Sequence, residues 1–196
     1  MTISEIRKTG EEAPPTLMGI IKHLVEATGT PNFGLSLSLA KRHGYKGPIE
    51  NITLALAQCV YYNEYISVPR FDRVFHLSEK IGYAVIRAGI DHDIGTSSVS
   101  IMLQRSLNAF NGGGRYFSYA IADGKVGEET LLALEEFLKR RGEDGETVLL
   151  NCISCLKGEY YLDMAERNQK HESQVFNWFL NIGDSRATGS RRQDPE

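Results

Sequence analysis

"FGLSLSLAKRHG", residues 33–44, carries two periodicities at once. Leu35, Leu37 and Leu39 alternate with serines, as in a half-buried strand. The stretch from Leu35 to Arg42 also makes a short helix that Gly44 would stop. We read it as a helix. That reading commits the chain to an all-α fold, with at most a small hairpin near residues 29–36.

Upstream, Leu17, Ile20, Ile21, Leu24 and Val25 form one apolar stripe, and Gly29 and Pro31 end it. Glu26 points away from that stripe. Such a position suits a solvated surface charge, and it equally suits a carboxylate facing a cleft. Residues 1–15 are polar, end in two prolines and are expected to be a flexible arm.

Downstream, the helical spacing recurs. Ile52, Leu56, Cys59 and Val60 share a face before Pro69 breaks the pattern. Val74, Leu77, Ile81, Ala84, Val85 and Ala88 follow, then Val99, Met102, Leu103, Leu107 and Phe110. "NGGGR", residues 111–115, reads as a flexible break, and aromatic "YFSYAIADGK" follows it. "VGEETLLALEEFLKRRG" has acids near its start and bases near its end, as a helix dipole favours. "EDGE", residues 143–146, is expected to separate it from a long helix bearing Cys152 and Cys155. "QVFNWFLNI" closes the pattern, and residues 184–196 are expected to form a disordered tail. Seven or eight helices with short links predict a helical fold of one domain or two small lobes.

The 196 residues are 41% apolar and 24% charged, which marks a globular chain. A net charge of -3 gives no reason to expect nucleic-acid binding. The run "LMGII" is too short to span a membrane, and no signal-peptide layout is present. Synthesis in the cytoplasm is therefore expected. The three cysteines, Cys59, Cys152 and Cys155, read as reduced thiols. Core packing is expected for Cys59 and Cys152, because a zinc site would need further close ligands.

Asp91, His92 and Asp93 are adjacent on a turn, where ligands rarely converge on one ion. Helix capping by Asp93 or Thr96 is the better reading. "NGGGR" lacks the preceding strand and the Lys-Ser or Lys-Thr pair of a phosphate loop. Arg186 and the tail arginines could bind an anionic surface weakly, but solvated charges are the expected reading. No metal and no cofactor are expected.

The order of elements resembles glycoside hydrolase family 108, over roughly residues 17–182. The resemblance is carried by "VEATGTPNFGLSLSLAKRHG", "ALAQCVYYNEYISVPRFD", Gly95, Leu103-Gln104, Asn108 and "DGKVGEETL". It implies a lysozyme-like helical fold of two small lobes with a cleft. Residues 16–95 would form the catalytic lobe, and residues 96–183 a peptidoglycan-binding lobe. The family's Glu-Gly-Gly-Tyr signature places its acid on Glu26, while Ala27 and Thr28 replace the glycines. The family's Asp-Pro hairpin is missing, Asp93 stands where Asn is usual, and Ile182 where Arg is usual.

The resemblance implies an N-acetylmuramidase, an endolysin that cleaves the glycan strand by general acid catalysis from Glu26. Such an acid holds its proton near neutral pH when partly buried, and Pro31 and Phe33 are expected to supply apolar walls. A group on the opposite face must activate water or stabilise the cation. Thr30 is a candidate for positioning water, and Asp91 or Asp93 for the base. Peptidoglycan is the expected partner. A holin or another export system would carry the enzyme to the periplasm or wall, unless a virion carries it. A second reading keeps the fold but not the chemistry. It is a degenerate relative that binds the wall or serves a structural or regulatory role.

Overall fold

The computed structural model describes residues 16–26, 28–90, 94–180 and 182. The expected arm and tail, and the Asp91–Asp93 turn, lie outside the described residues. The chain divides into two compact units, Met1–Tyr62 and Asn63–Glu196. Both are helical, and no strand occurs among the described residues. The fold is all-α.

In the first unit α1 spans Leu17–Glu26, α2 spans Leu37–Arg42 and α3 spans Leu54–Tyr62. Residues 33–44 therefore resolve as turn plus helix. Ser36 decides it: its side chain accepts the Leu39 N–H at 3.1 Å and caps α2. A strand would leave that hydroxyl idle. Gly44, at φ 84, ends the helix. The stripe expected on α1 is the buried one, with Ile20, Ile21, Leu24 and Val25 inside. It packs on α3.

The face of α3 differs from expectation. Ala57, Val60 and Tyr61 are buried, whereas Cys59 is exposed. "LALAQCVYY" is apolar nearly all round, so its pattern does not say which side turns inward.

The second unit opens with a π-turn at Asn63–Ser67, then α4 (Phe71–Leu77), α5 (Glu79–Ile90), α6 (Gly95–Ala109), α7 (Glu128–Arg167) and α8 (Glu172–Leu180). Helix α5 packs on both α4 and α6, and α6 packs on α7. Phe71, Val74, Ile81, Val85, Ile86, Val99, Leu103, Leu107 and Leu134 form their common core. Burying one such side chain contributes roughly 1.5–3 kcal/mol. The division after Tyr62 thus groups α4 and α5 with α6 and α7, although the sequence suggests a boundary at 95/96. The break in α7 also moves. It falls at Gly142, with φ 56 and ψ -145, and "EDGE" is helical.

No helix among the described residues is long and apolar enough to cross a membrane.

Candidate functional site

Three side-chain amides follow one another at the end of α6: Gln104 and Asn108 on the helix itself, and Asn111 two residues past its last turn. The i, i+4 spacing keeps the first two on one face. Each grips the segment that returns from α6 to α7. Asn111 donates to the Phe117 carbonyl at 2.7 Å and accepts the N–H groups of Tyr116 and Phe117 at 3.2 and 3.0 Å. Asn108 donates to the Ala120 carbonyl at 2.7 Å and accepts the Ala120 N–H at 2.9 Å. Gln104 accepts the Gly124 N–H at 3.1 Å and donates to Lys125 O at 2.8 Å, Thr130 Oγ1 at 3.1 Å and Asp123 Oδ1 at 3.2 Å. The amides do what a neighbouring strand would do: they satisfy the backbone of a loop that has no secondary structure of its own. The expected flexible break at "NGGGR" is instead a clipped segment, because Asn111 is fully buried and holds it.

The clip fixes what faces outward. Tyr119 and Ile121 flank buried Ala120 and are 54% and 69% exposed. Two of the three glycines make room for rings. An added Cβ at Gly112 would lie 2.6 Å from Tyr116, and one at Gly114 would lie 3.1 Å from Tyr119. The Arg140 guanidinium sits 4.5 Å from the Tyr116 ring centroid, and Arg141 sits at 5.8 Å. The result is an outward-facing ledge at Tyr119 and Ile121, with arginines against Tyr116 earlier in the same loop. Aromatic rings with one polar end suit the apolar C–H face of a sugar, and guanidinium groups suit carboxylates.

Three carboxyls of this unit are held below their usual range. Asp123 is lowered by the Lys125 N–H and then by the Gln104 amide. Glu128 is lowered by the hydrogen bond and charge of Arg70. Burial alone would raise Glu146, but hydrogen bonds from Lys80 at 2.7 Å and Ser78 at 2.6 Å, with the Lys80 charge, outweigh it and lower it. A depressed folded-state value stabilises the protein above the unfolded value and loses that stabilisation as pH falls. The melting temperature should therefore drop from about pH 4.3 downward. Glu146→Gln should be less stable than the parent at neutral pH and flatten this acid limb. An unchanged limb in that variant would remove the Glu146 contribution.

The residues singled out in the first unit lie around a different turn. Glu26 is the last residue of α1 and is exposed. Its carboxylate makes no hydrogen bond or ion pair among the described residues. The apolar walls expected from Pro31 and Phe33 do not cover it. The chain reverses there through a tight series of turns, with Gly29 at φ 62 and Gly34 at φ 70, so no hairpin floor is built. Thr30 is engaged in these turns: its hydroxyl accepts the Gly34 N–H at 2.7 Å and lies 3.4 Å from that of Thr28. It closes the turn, and one donor and one lone pair of the hydroxyl remain beyond the Gly34 bond. Phe33 adopts φ 54, and its carbonyl accepts the Tyr61 hydroxyl at 3.1 Å. Asp91 and Asp93, the candidate bases, lie outside the described residues. Thr96, the alternative cap, lies inside α6, and the residue before that helix is Ile94 with no side-chain cap bond.

Cys152 is half-buried and Cys155 exposed. Among the described residues no group of three or more His, Cys, Asp or Glu is placed to hold a metal ion.

Residues 98–182 match the family described as the Predicted Peptidoglycan domain. The match takes in Gln104, Asn108, Asn111, the clipped loop and Arg140, and stops short of Glu26. No curated protein matches the chain.

Proposed function

We propose that this protein binds peptidoglycan through its second unit, with the loop around Tyr119 laid against the glycan strand. The observation that carries this reading is a coincidence of place. The segment matching a peptidoglycan domain contains an amide clip that holds Tyr119 and Ile121 exposed, and on the same loop the Tyr116 ring lies beside Arg140. The buried amides remove the cost of ordering the loop at the moment of binding.

A second reading adds catalysis. Glu26 occupies the position that the family 108 resemblance assigns to the general acid, at an exposed helix end beside a turn. Acting without a partner on the opposite sugar face, it would supply about 10²–10⁴-fold. No acid occurs between Glu26 and Glu50 to be that partner. Hydrolysis from this unit would therefore be slow unless another segment supplies one. The protein would work at the wall after release through a holin or another export system, or aboard a virion.

One experiment addresses both readings. Isolated sacculi are mixed with the parent, Tyr119→Ser and Glu26→Gln proteins, and both the pelleted fraction and the turbidity are followed. The parent should co-sediment. Tyr119→Ser should bind about tenfold more weakly or worse. Glu26→Gln should bind like the parent, and any clearing by the parent should vanish with it. Failure of the parent to co-sediment defeats the binding proposal. Clearing that survives Glu26→Gln defeats the catalytic one.

A further inference from the structure

A cavity of about 480 Å³ lies between α5 and the second half of α7, outside the aromatic ledge. Its size is within the range of small-ligand sites. Lys80, Ala84 and Arg87 line it from one face of α5, and Asn151, Ser154 and Lys157 line it from α7. The spacing makes the two sides facing stripes. Among the described residues no carboxylate lines it, and the three charged side chains that do are cations. Lys80 is held at one end by Glu146. Arg87 is exposed and makes no hydrogen bond or ion pair among the described residues. The Lys157 ammonium stands 6.0 Å from the centroid of the Tyr161 ring.

The arrangement selects among anions. Lys80 and Arg87 are seven residues apart on one helix, roughly 10 Å along its axis. Charges spread along a groove suit carboxylates spaced along a chain better than one compact phosphate, which favours converging donors. Between the cations the walls offer Ala84 and Ile153 for small aliphatic groups, and the Asn151 amide and Ser154 hydroxyl for peptide hydrogen bonds.

We infer that this groove binds a short acidic peptide with small aliphatic side chains, and that in peptidoglycan its occupant is the stem peptide. The second clause rests on the proposed function above. The site is separate from the Tyr119 ledge, so glycan and peptide are read by different surfaces of one unit.

The test uses the free tetrapeptide L-Ala-γ-D-Glu-meso-diaminopimelyl-D-Ala, and the same peptide with its carboxylates amidated, in titration calorimetry against the full chain. The parent should bind the acidic peptide, and amidation should weaken binding at least about tenfold. Joint Arg87→Gln and Lys157→Gln replacement should do the same while leaving the circular dichroism spectrum and melting temperature close to the parent's. Tyr119→Ser should bind the free peptide normally. The amidated peptide probes the unaltered parent, so misfolding of a variant does not blunt the test. Equal binding of the two peptides, undiminished binding by the double variant, or no binding to the parent overturns the inference. Sacculus binding without peptide binding would leave the proposed function standing and this inference refuted. Peptide binding without sacculus binding would refute the proposed function and the stem-peptide clause with it, and leave only the acidic-peptide groove.

Discussion

Gly82→Ala should destabilise the second unit by about 3 kcal/mol or more, and lower its melting temperature by roughly 10 °C. Helices α4 and α5 meet at this residue. A Cβ placed on Gly82 would stand 2.2 Å from Phe75 Cα, 2.5 Å from Phe75 Cβ and 2.7 Å from Phe75 N. Carbon atoms in ordinary contact sit about 3.5–4.0 Å apart. Two of the three obstructing atoms are backbone, so no side-chain rotation relieves the clash. The helices must move apart, and the connection between them is a single extended residue, Ser78. Separation would open the core at Phe71, Val74, Ile81 and Val85, all fully buried. Against a total stability of about 5–15 kcal/mol, that loss is large. Thermal melts of the parent and variant decide the matter. Gly19→Ala on α1 is the contrast, since its nearest neighbour is the Thr16 hydroxyl at 3.2 Å. That variant should cost far less than Gly82→Ala, because helix propensity worth about 0.5–1 kcal/mol offsets the displacement of the Thr16 hydroxyl that accepts the Gly19 N–H. Equal melting of Gly82→Ala and parent would show that α4 and α5 do not cross so closely.

The helices were legible because their signals are local. The Leu17–Val25 stripe is a pattern within three turns, and the stop at Gly44 lies within the segment it ends. The phase of α3 was not legible, because an almost uniformly apolar sequence leaves Cys59 and Ala57 equally eligible for the core. Nor was the partner of each stripe. Val74 and Ile81 announce a buried face, but nothing in their spacing says that α6 and α7 cover it. Their packing places α4 to α7 together in the unit that begins at Asn63.

The sites divide in the same way. Gln104 and Asn108 stand out in the sequence through family resemblance, yet their work is visible only when residues some 12 to 26 positions away arrive beside them. Amides at Gln104 and Asn108 on a leucine-rich helix, with Asn111 just past its end, are the signal that was there to be read. Buried amides need partners, and a loop without strands needs the same partners. Glu26 shows the opposite case. Its place at a helix end is plain from sequence, but exposure of its side chain depends on how the turn after it folds, and the missing hairpin leaves it uncovered.

Gln104→Leu should cost about 3 kcal/mol and loosen the loop locally as well as globally. The native amide is 1% exposed and serves four partners. Leucine fills similar space but neither donates nor accepts. The part-buried Gly124 N–H and Lys125 carbonyl would lose their partner, and so would the Thr130 hydroxyl, on a residue only 2% exposed. Each group left unsatisfied costs about 1–3 kcal/mol, and partial release of the loop into water recovers some of it. Hydrogen exchange should therefore quicken at Gly124 and Lys125 before the rest of α6 and α7. Sacculus binding should weaken too, because the ledge at Tyr119 and Ile121 hangs from the same segment. Gln104→Glu separates hydrogen bonding from shape. At neutral pH the new carboxylate would accept from Gly124 but face Asp123, whose Oδ1 lies 3.2 Å from the native amide nitrogen. Protonation relieves that repulsion and restores one donor, so this variant should recover toward the parent as the solution is acidified, against the trend of the parent itself. If Gln104→Leu melts and exchanges like the parent, the amide does not hold the loop, and the ledge must owe its shape to the glycines and Asn111 alone.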